Sequence, residues 1–296
     1  MTSLLPQAAP ESDALQEFRF YLSEGSQVPK PPITLQQILA CSQDSESNAE
    51  KLATIIATDA AVAAHILKTV NSAYYGFPQQ IASIKHAIVL LGFSEITNLA
   101  VGLSLMGIMT PRQAKPFHHQ FQLHSLATAR LALLLAEKLD FKEKSTAFTG
   151  GLLHDLGLLM LYSWQPEKYQ QVLARCRTGQ QFTFQVEREI LGLDHMTAGY
   201  LVGHLWHLPE PLKISMRHHH GHPDDKACVF TAIIHLAHVL CYQAGFPLAP
   251  NLRHPRLPKT VFQTLQNAQP QLTPGLVKTW VTSIKPQLAQ LPARGR

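Results

Sequence analysis

Adjacent His154 and Asp155 lie inside the apolar run GGLLHDLGLLMLY, at residues 150–162, and this pair constrains the fold more than any other feature of the sequence. A run this apolar is expected to be buried, and a buried polar or charged group is costly unless it finds a partner. Imidazole and carboxylate are also groups that bind divalent first-row metals. We therefore expect the fold to bring further polar groups, or a metal, to this pair.

Apolar residues recur at spacings of three and four along most of the chain, which is the period of an amphipathic helix. Asp59 is placed to cap one helix, which must end before Gly76 and Pro78. Ser83 is placed to cap the next helix, and Gly92 is placed to end it. No stretch shows the alternation of β-branched residues between turn signals that is typical of a sheet. The sequence therefore predicts an all-α, multi-helix fold.

Helices are also predicted in the part of the chain that contains the pair. Gly150, Gly151 and Gly157 flank His154 and Asp155, and they remove side-chain bulk so that another helix backbone can approach closely. The predicted helical segments in this part of the chain are 124–139, 145–162, 182–206, 210–220 and 230–245.

The two ends of the chain differ in composition from its centre. Residues 1–27 mix proline, serine and acidic residues with the short apolar patch FRFYL, and we expect a loosely held leader whose aromatic rings dock on the body. Residues 246–296 are rich in proline, glutamine and basic residues, with two short amphipathic pieces, which predicts a C-terminal helical appendage. The length of 296 residues and the hydrophobic content of 46% suffice for one large domain or two smaller ones.

Charge and cysteine content argue against several classes of protein. The formal charge is +5, but the basic residues are scattered, so a nucleic acid partner is not favoured. The four cysteines show neither CxxC spacing nor a small secreted framework, and we expect reduced thiols. No uncharged apolar run reaches the length of a transmembrane helix, and the first residues lack the features of a signal peptide. A cytoplasmic location without membrane contact is expected.

Histidines concentrate on the predicted helices or at their ends. A helix bundle can bring imidazoles from several helices to one interior point. With 16 histidines in the chain, however, some clustering is expected by chance, and a single histidine on an apolar face is more often a packed or surface residue than a ligand. The residues concerned are His124, His154, Asp155, His195, His218, His219, His220, His235 and His238.

The order of these residues resembles the HD superfamily of metal-dependent phosphohydrolases. The matching positions are His124, the pair His154 and Asp155, His195 within DHMTAG, and the run HHH at 218–220. In that superfamily such residues bind catalytic metals, so the resemblance implies a metal site.

Two longer stretches resemble the HDOD domain, the HD-related output domain of bacterial signalling proteins. Residues 55–96, with NSAYYG followed by IASIKHAIVLLG, resemble its opening module, and LDHMTAGYLVGHLWHLPEPL at 193–212 resembles its later segment. The resemblance covers approximately residues 28–245 and implies an N-terminal helical lobe, 28–115, packed on an HD-like helical lobe, 116–245. It also implies a regulatory or scaffolding role with signalling protein partners, since catalysis is not established for this family.

The HD resemblance also implies which residues would bind metal. The last HD ligand, an aspartate in the superfamily, is replaced by His238 in IHLAHVL. The GYP-containing loop that marks cyclic-dinucleotide phosphodiesterases is missing. The implied metal ligands are His124, His154, Asp155, His195, His219 and His220.

The exchange at His238 leaves Asp155 as the only carboxylate in this ligand set. A site for two metals must offset several positive charges, and carboxylates do this whereas neutral imidazoles do not. The set is therefore expected to bind at most one divalent transition metal, of unknown identity.

Two functions from different classes remain open. One is a non-catalytic signal-transduction output or interaction module, with a retained structural metal or ligand site. The alternative is a metal-dependent phosphohydrolase that acts on a nucleotide or cyclic dinucleotide, with His154 and Asp155 as core ligands. Phosphate substrates need basic groups, yet no lysine or arginine adjoins the pair and only Lys213 and Arg217 lie near the histidine run. This observation favours the first function.

Overall fold

The computed structural model describes residues 13–24, 32–71, 75–108, 115–177, 181–221, 228–249 and 252–288. Over these ranges every regular element is an α-helix and no strand occurs, which confirms the predicted all-α fold. The helices are, in chain order, α1 (Asp13–Glu24), α2 (Ile33–Gln43), α3 (Ala49–Ala57), α4 (Ala60–Val70), α5 (Ile84–Leu91), α6 (Phe93–Ile108), α7 (Lys115–Lys138), α8 (Lys144–Leu153), α9 (Leu156–Trp164), α10 (Pro166–Cys176), α11 (Thr183–Leu191), α12 (His195–Leu205), α13 (Glu210–His218), α14 (Val229–Gln243), α15 (Lys259–Ala268) and α16 (Pro274–Leu288).

Local capping sets the start of α4 and both ends of α5 as predicted. The Asp59 carboxylate accepts hydrogen bonds from two backbone N–H groups in the first turn of α4, each 3.1 Å away. The Ser83 hydroxyl accepts one from a backbone N–H 3.2 Å away at the start of α5. Gly92 ends α5 with a φ of 93°, a conformation that favours glycine, and α6 follows at once.

Helices α2 to α5 pack around α6, and α6 packs on α8. The interior of this group consists of aliphatic side chains with no exposed surface, among them Leu35, Ile38, Leu52, Ile56 and Ile96. Burying one side chain of this size stabilises the folded state by about 1.5–3 kcal/mol. The group lies where an N-terminal lobe is expected, and the exact limits of that lobe stay a prediction.

Helices α7, α8, α9, α12, α13 and α14 form a second group. Helix α7 lies against α8 and α14, α9 lies against α12, and α12 lies against α13. Every residue of α14 from Phe230 to Tyr242 is buried, so α14 is the central element of the group. This position puts two imidazoles, those of His235 and His238, in the interior of the protein.

The helix expected through residues 145–162 is broken at the His–Asp pair, where α8 ends and α9 begins. At the break the His154 imidazole Nδ1–H donates to the Gly151 carbonyl 2.8 Å away, and this bond satisfies a carbonyl of the last turn of α8. The helix expected through 182–206 is also broken, at Gly192 with a φ of 73°. As a result, both Asp155 and His195 lie at helix N-termini.

Both ends of the described chain pack on the second group. Phe18 of α1 is fully buried, with its ring centroid 5.2 Å from that of Trp164, so an aromatic ring of the expected leader does dock on the body. Residues 1–12 and 25–27 of that leader lie outside the described residues. Helix α15 packs on α14, and α16 packs on α7.

A membrane-spanning helix needs about 20 apolar residues. Among the helices of the described ranges, none is by itself both long enough and apolar enough to cross a bilayer. The pair α3 and α4 meets the length and composition criteria only when taken together, and the chain bends by 118° between the two helices.

Candidate metal centre

The helices of the candidate centre approach one another closely where one of them carries a glycine. A Cβ atom on Gly157 of α9 would lie 1.9 Å from the His195 carbonyl oxygen and 2.6 Å from the Gly199 amide nitrogen, both in α12. A Cβ atom on Gly151 of α8 would lie 2.8 Å from the Ala129 Cα in α7. Only glycine allows two backbones to approach this closely. The His–Asp pair is thereby held between α7 and α12.

The pair lies within a buried cluster of imidazoles that come from α7, the α8–α9 junction, α12, the end of α13, and α14. Two groups of four residues have potential ligand atoms within 4.8 Å of one another, and Asp155 belongs to both. All members are buried except His220, which is partly buried. The six predicted ligands are thus brought together, and His238 joins them. The first ligand group is His124, His154, Asp155 and His238, and the second ligand group is Asp155, His195, His219 and His220.

Each carboxylate oxygen of Asp155 faces a different pair of rings. Oδ2 lies 3.1 Å from His154 Nε2 and 3.4 Å from His124 Nε2. Oδ1 lies 3.1 Å from His219 Nε2 and 3.6 Å from His195 Nε2. One oxygen is therefore available to each ligand group, with the carboxylate between them.

Four of the rings are oriented by hydrogen bonds on the side away from Asp155. In each ring Nδ1 contacts a carbonyl or carboxylate oxygen, which can only accept, so Nδ1 carries the hydrogen and Nε2 is left facing the carboxylate. Outer partners of this kind fix the tautomer and orientation of metal-binding histidines. The pairs are His124 with the Phe246 carbonyl at 2.7 Å, His154 with the Gly151 carbonyl at 2.8 Å, His195 with the Glu187 carboxylate at 2.6 Å, and His219 with the Met216 carbonyl at 2.9 Å.

The Nε2 atoms of His195 and His219 face each other at 3.2 Å. Since the Nδ1 atom of each ring carries a hydrogen, two neutral rings would point lone pairs at one another across this distance. The contact is favourable only if one Nε2 is protonated or a cation lies between the rings. His220 Nε2 also lies 3.2 Å from His195 Nε2, so three ring nitrogens converge on this point.

The buried polar atoms of the cluster that have no hydrogen-bond partner are those that a metal would satisfy. Although His154 Nε2 is close to Asp155, the orientation is not that of a hydrogen bond. A set of imidazole nitrogens and a carboxylate oxygen suits a divalent first-row transition metal. Among the described residues, the unpartnered atoms of the cluster are His124 Nε2, His154 Nε2, Asp155 Oδ1, and both ring nitrogens of His238.

Burial and the neighbouring charges set the protonation of the cluster. Burial opposes ionisation of Asp155, but the surrounding imidazoles outweigh it and hold its pKa well below the usual range. Burial would lower the pKa of His195, but the Glu187 carboxylate outweighs it and raises that pKa to about 9. Burial lowers the pKa of His219 to about 4 and that of His220 well below its usual value. Asp155 is therefore ionised at neutral pH, while the last two rings are neutral, which is the form that binds a metal.

Glu187 is absent from the ligand set inferred from sequence, but it supports the centre. Its side chain is fully buried and accepts hydrogen bonds from the Tyr169 hydroxyl at 2.9 Å, from the His195 backbone N–H at 2.8 Å and from the His195 Nδ1–H at 2.6 Å. The spacing of four residues from buried Leu191 on α11 is a sequence signal that could have placed it on the inner face. Asp155 is thus not the only carboxylate that stabilises positive charge here.

We expect Glu187→Gln to weaken both the fold and the metal centre. An amide offers a single acceptor oxygen and turns an N–H₂ group toward buried donors, so the free energy of unfolding should fall by about 1–3 kcal/mol. Metal affinity should fall about 10–100-fold, because His195 loses its anionic partner. Urea denaturation and chelator competition measure the two effects.

Glu189→Gln is the matched control for this prediction. Glu189 is on the same helix but pairs near the surface with Arg175 and Gln181, so its loss should change stability by no more than about 1 kcal/mol. Equal effects of the two substitutions on metal affinity would contradict the role assigned to Glu187.

Arg253 lies beside the centre, where the sequence had placed no basic group next to the His–Asp pair. A cavity of about 20 Å³ adjoins the cluster, and Arg253 lines it together with Asp155, His195 and His220. The Arg253 guanidinium lies 4.3 Å from the centroid of the Phe182 ring. No spacing in the sequence connects Arg253 with the pair, because it lies in the C-terminal appendage.

The other polar residues considered from sequence lie outside the two ligand groups. Lys213 pairs with Glu210 at 2.6 Å, and the Arg217 guanidinium donates to the Thr197 hydroxyl. His235 Nε2–H donates to a backbone carbonyl 2.8 Å away. None of these three side chains contributes to either group, and neither does His218.

The HDOD domain family matches residues 28–222 of the chain. An uncharacterised protein of Treponema pallidum strain Nichols is 26% identical over 200 residues, which are 66% of this chain and 38% of that protein. The chain therefore matches well under half the length of that relative.

Several solved structures share the fold. An HDOD domain protein of unknown function from Geobacter sulfurreducens superposes with a TM-score of 0.75 at 19% identity, covering 95% of this chain and 98% of that one. A protein of Shewanella amazonensis SB2B with a provisional phosphohydrolase name superposes with a TM-score of 0.68 at 19% identity, and the match covers 93% of this chain and 98% of that one. A protein of Marinobacter aquaeolei VT8 with a provisional signal-transduction name superposes with a TM-score of 0.63 at 20% identity, and the match covers 88% of this chain and 60% of that one. At these identities the likeness establishes the fold alone. Together with the family match over two thirds of its length, it makes this chain a member of the HDOD domain family.

Proposed function

We propose that the protein is a non-catalytic signal-transduction output or interaction module of HDOD type whose buried centre binds one divalent transition metal. The observation that carries the proposal is the enclosure of the centre. Its candidate ligands are buried or partly buried, and the adjoining cavity of about 20 Å³ has room for about one water molecule. Pockets for small organic ligands take about 300–1,000 Å³. A nucleotide substrate therefore does not fit against the centre in this conformation.

The second ligand group is the better candidate for the metal. Its three ring nitrogens converge on one point, and Glu187 anchors His195 from behind. The carboxylates of Asp155 and Glu187 carry two negative charges, which offset one divalent cation. A second divalent cation would add two uncompensated positive charges in a buried site, at a cost of several kcal/mol.

A module without catalysis acts through its surface, and we expect its partners to be signalling proteins. Val89 and Leu90 are neighbours on α5, a helix that contributes no ligand, and they are 72% and 45% exposed. Exposed apolar side chains that adjoin one another are candidate contacts for a protein partner. The provisional signal-transduction name of the Marinobacter aquaeolei neighbour agrees with such a role.

The alternative is a metal-dependent phosphohydrolase acting on a nucleotide or cyclic dinucleotide. Two observations favour it specifically. Asp155 offers one oxygen to each ligand group, which is a bridging arrangement, and Arg253 places a basic group on the wall of the adjoining cavity. The provisional phosphohydrolase name of the Shewanella amazonensis neighbour belongs to that protein and supports this alternative only by analogy.

Metal analysis and an activity assay on the same preparation separate the two functions. After reconstitution with zinc, iron, manganese or nickel and extensive dialysis, we expect one metal per chain and no turnover of nucleotides or cyclic dinucleotides. Turnover that is lost in a His154→Ala, Asp155→Ala double variant would establish the hydrolase instead. A chain that retains no metal under any of these conditions would disprove the metal-binding part of the proposal.

A further inference from the structure

The last three helices enclose a cleft that lies away from the metal centre. Helix α15 packs on α14, whereas α16 packs on α7, so α15 and α16 diverge although only residues 269–273 separate them in the chain. The Gln266 side-chain amide holds this short connection by donating to the Leu272 carbonyl 3.0 Å away. The space between α14, α15 and α16 has a volume of about 740 Å³, and we call it the C-terminal cleft.

The C-terminal cleft and the metal centre use different faces of α14. Leu236, Val239, Leu240 and Gln243 line the cleft, and their spacings of three and four residues put them on one face of the helix. His238, a member of the first ligand group, lies one and two positions away from them and so points to another face. Among the described residues that line the cleft, none belongs to either ligand group.

The cleft has apolar walls and a basic rim. The aliphatic side chains of α14 share the walls with Phe262 of α15 and with Val277 and Val281 of α16. Lys259 and Lys278 also line the cleft and are exposed, so they lie at its rim. Of the described residues that line it, none is acidic, and neither lysine forms an ion pair with a described carboxylate.

The size, walls and charge of the cleft suit a slender amphipathic anion. Its volume falls in the range of about 300–1,000 Å³ that is typical of pockets for small organic ligands. Leu236 and Leu240 are only 2% and 5% exposed, so each shows a narrow strip of its surface to the cleft. A partner helix is about 10–12 Å across and needs a broader apolar surface, whereas an alkyl chain does not. Residues 226–296 contain eight lysines and arginines and no aspartate or glutamate, so a negative head group meets no carboxylate from this part of the chain.

We infer that the C-terminal cleft binds a fatty acid, with the alkyl chain between the three helices and the carboxylate at Lys259 and Lys278. Removal of the alkyl chain from water supplies most of the affinity. The two ammonium groups supply the preference for an anionic head group. The site shares no ligand with the metal centre, so the inference goes beyond the proposed function and does not depend on it.

Calorimetric titration of the full chain with laurate and with octanoate tests the inference. We expect one laurate per chain, bound while far-UV circular dichroism stays helical. Each buried CH₂ group should strengthen binding about fourfold, so laurate should bind at least about tenfold more tightly than octanoate. Equal affinity for the two acids, no saturable binding, or uptake of several laurate molecules with loss of helix would overturn the inference. Sedimentation of the protein with phosphatidylglycerol vesicles, without binding of free laurate, would instead assign the basic surface to a membrane.

Thr282→Trp tests the location of the site by filling the cleft. Thr282 lines the cleft and is exposed, so the indole occupies the space of the alkyl chain without disturbing the core, and laurate affinity should fall about tenfold or more. Thr279→Trp is the matched control, because Thr279 is also exposed on α16 but does not line the cleft. The hydroxyls of both threonines donate to the backbone carbonyl four residues earlier, so both variants lose the same hydrogen bond. Equal losses of affinity in the two variants would place laurate elsewhere.

A Lys259→Gln, Lys278→Gln double variant tests the head-group contact. Exposed ion pairs are weak individually, so the two losses together should lower laurate affinity about fivefold or more. A Lys138→Gln, Lys168→Gln double variant removes two exposed lysines from α7 and α10, outside the cleft, and should bind laurate as the wild type does. If both double variants lost affinity equally, laurate would be responding to the net charge of the protein, and the assignment of the carboxylate to the rim of the cleft would be wrong.

Discussion

Replacing Gly157 with alanine is expected to destabilise the protein by about 3 kcal/mol or more and to abolish metal binding. The added Cβ would lie 1.9 Å from the His195 carbonyl oxygen and 2.6 Å from the Gly199 amide nitrogen. Both atoms belong to the backbone of α12, so neither can move without moving the helix. Helices α9 and α12 must separate by about 1 Å or more, and this separates Asp155 from His195. Urea denaturation, monitored by circular dichroism, measures the loss in the free energy of unfolding.

Gly275→Ala is the control for this substitution. Gly275 lies near the start of α16, and a Cβ there would meet only the Thr273 hydroxyl at 3.9 Å, an ordinary contact. Alanine favours a helix over glycine, so we expect a change within about 1 kcal/mol, in the stabilising direction. If Gly157→Ala were tolerated as well as Gly275→Ala, the close approach of α9 and α12 would not be what forms the centre.

The parts of this fold that could be predicted from sequence are those determined by neighbouring residues. Asp59, Ser83 and Gly92 act on the backbone within four residues of themselves, so the start of α4 and both ends of α5 follow from local chemistry. The break between α8 and α9 could not be predicted, because the apolar pattern continues through residues 150–162. The hydrogen bond of the His154 ring accompanies this break, and ring orientation depends on tertiary contacts.

The centre was predictable as a set of residues but not as a geometry. The order of the six ligands along the chain resembles a known pattern, whereas their convergence depends on helices that meet across long stretches of sequence. Glu187 shares a helix face with buried Leu191, yet only the fold brings it to His195 and Tyr169. Arg253 lies in a segment whose proline-rich composition suggests an appendage, and only packing places it beside the cluster.

Asp155→Asn should eliminate specific metal binding while leaving the helical fold in place. The two ligand groups share Asp155, so the substitution removes the single carboxylate from both of them. Loss of a ligand that carries the charge compensation should lower affinity about a hundredfold or more, since even outer partners are worth about 10–100-fold. The asparagine amide has the same shape and can donate to a neighbouring ring nitrogen such as His219 Nε2, which limits the damage to packing.

Thermal unfolding with and without added metal separates the loss of metal binding from any loss of the helical fold. A ligand that binds only the folded state raises the unfolding temperature of the wild type, and the variant should lose this rise while its circular dichroism stays helical. His65→Ala, at an exposed histidine of α4, is the control for adventitious binding and should retain the full metal-dependent rise. If the Asp155→Asn variant kept one metal after dialysis, the histidines alone would form the site, and the carboxylate would serve only to hold them in place. If His65→Ala lost the metal-dependent rise in unfolding temperature to the same extent, surface histidines would bind the metal. That result would contradict a metal site in the buried centre.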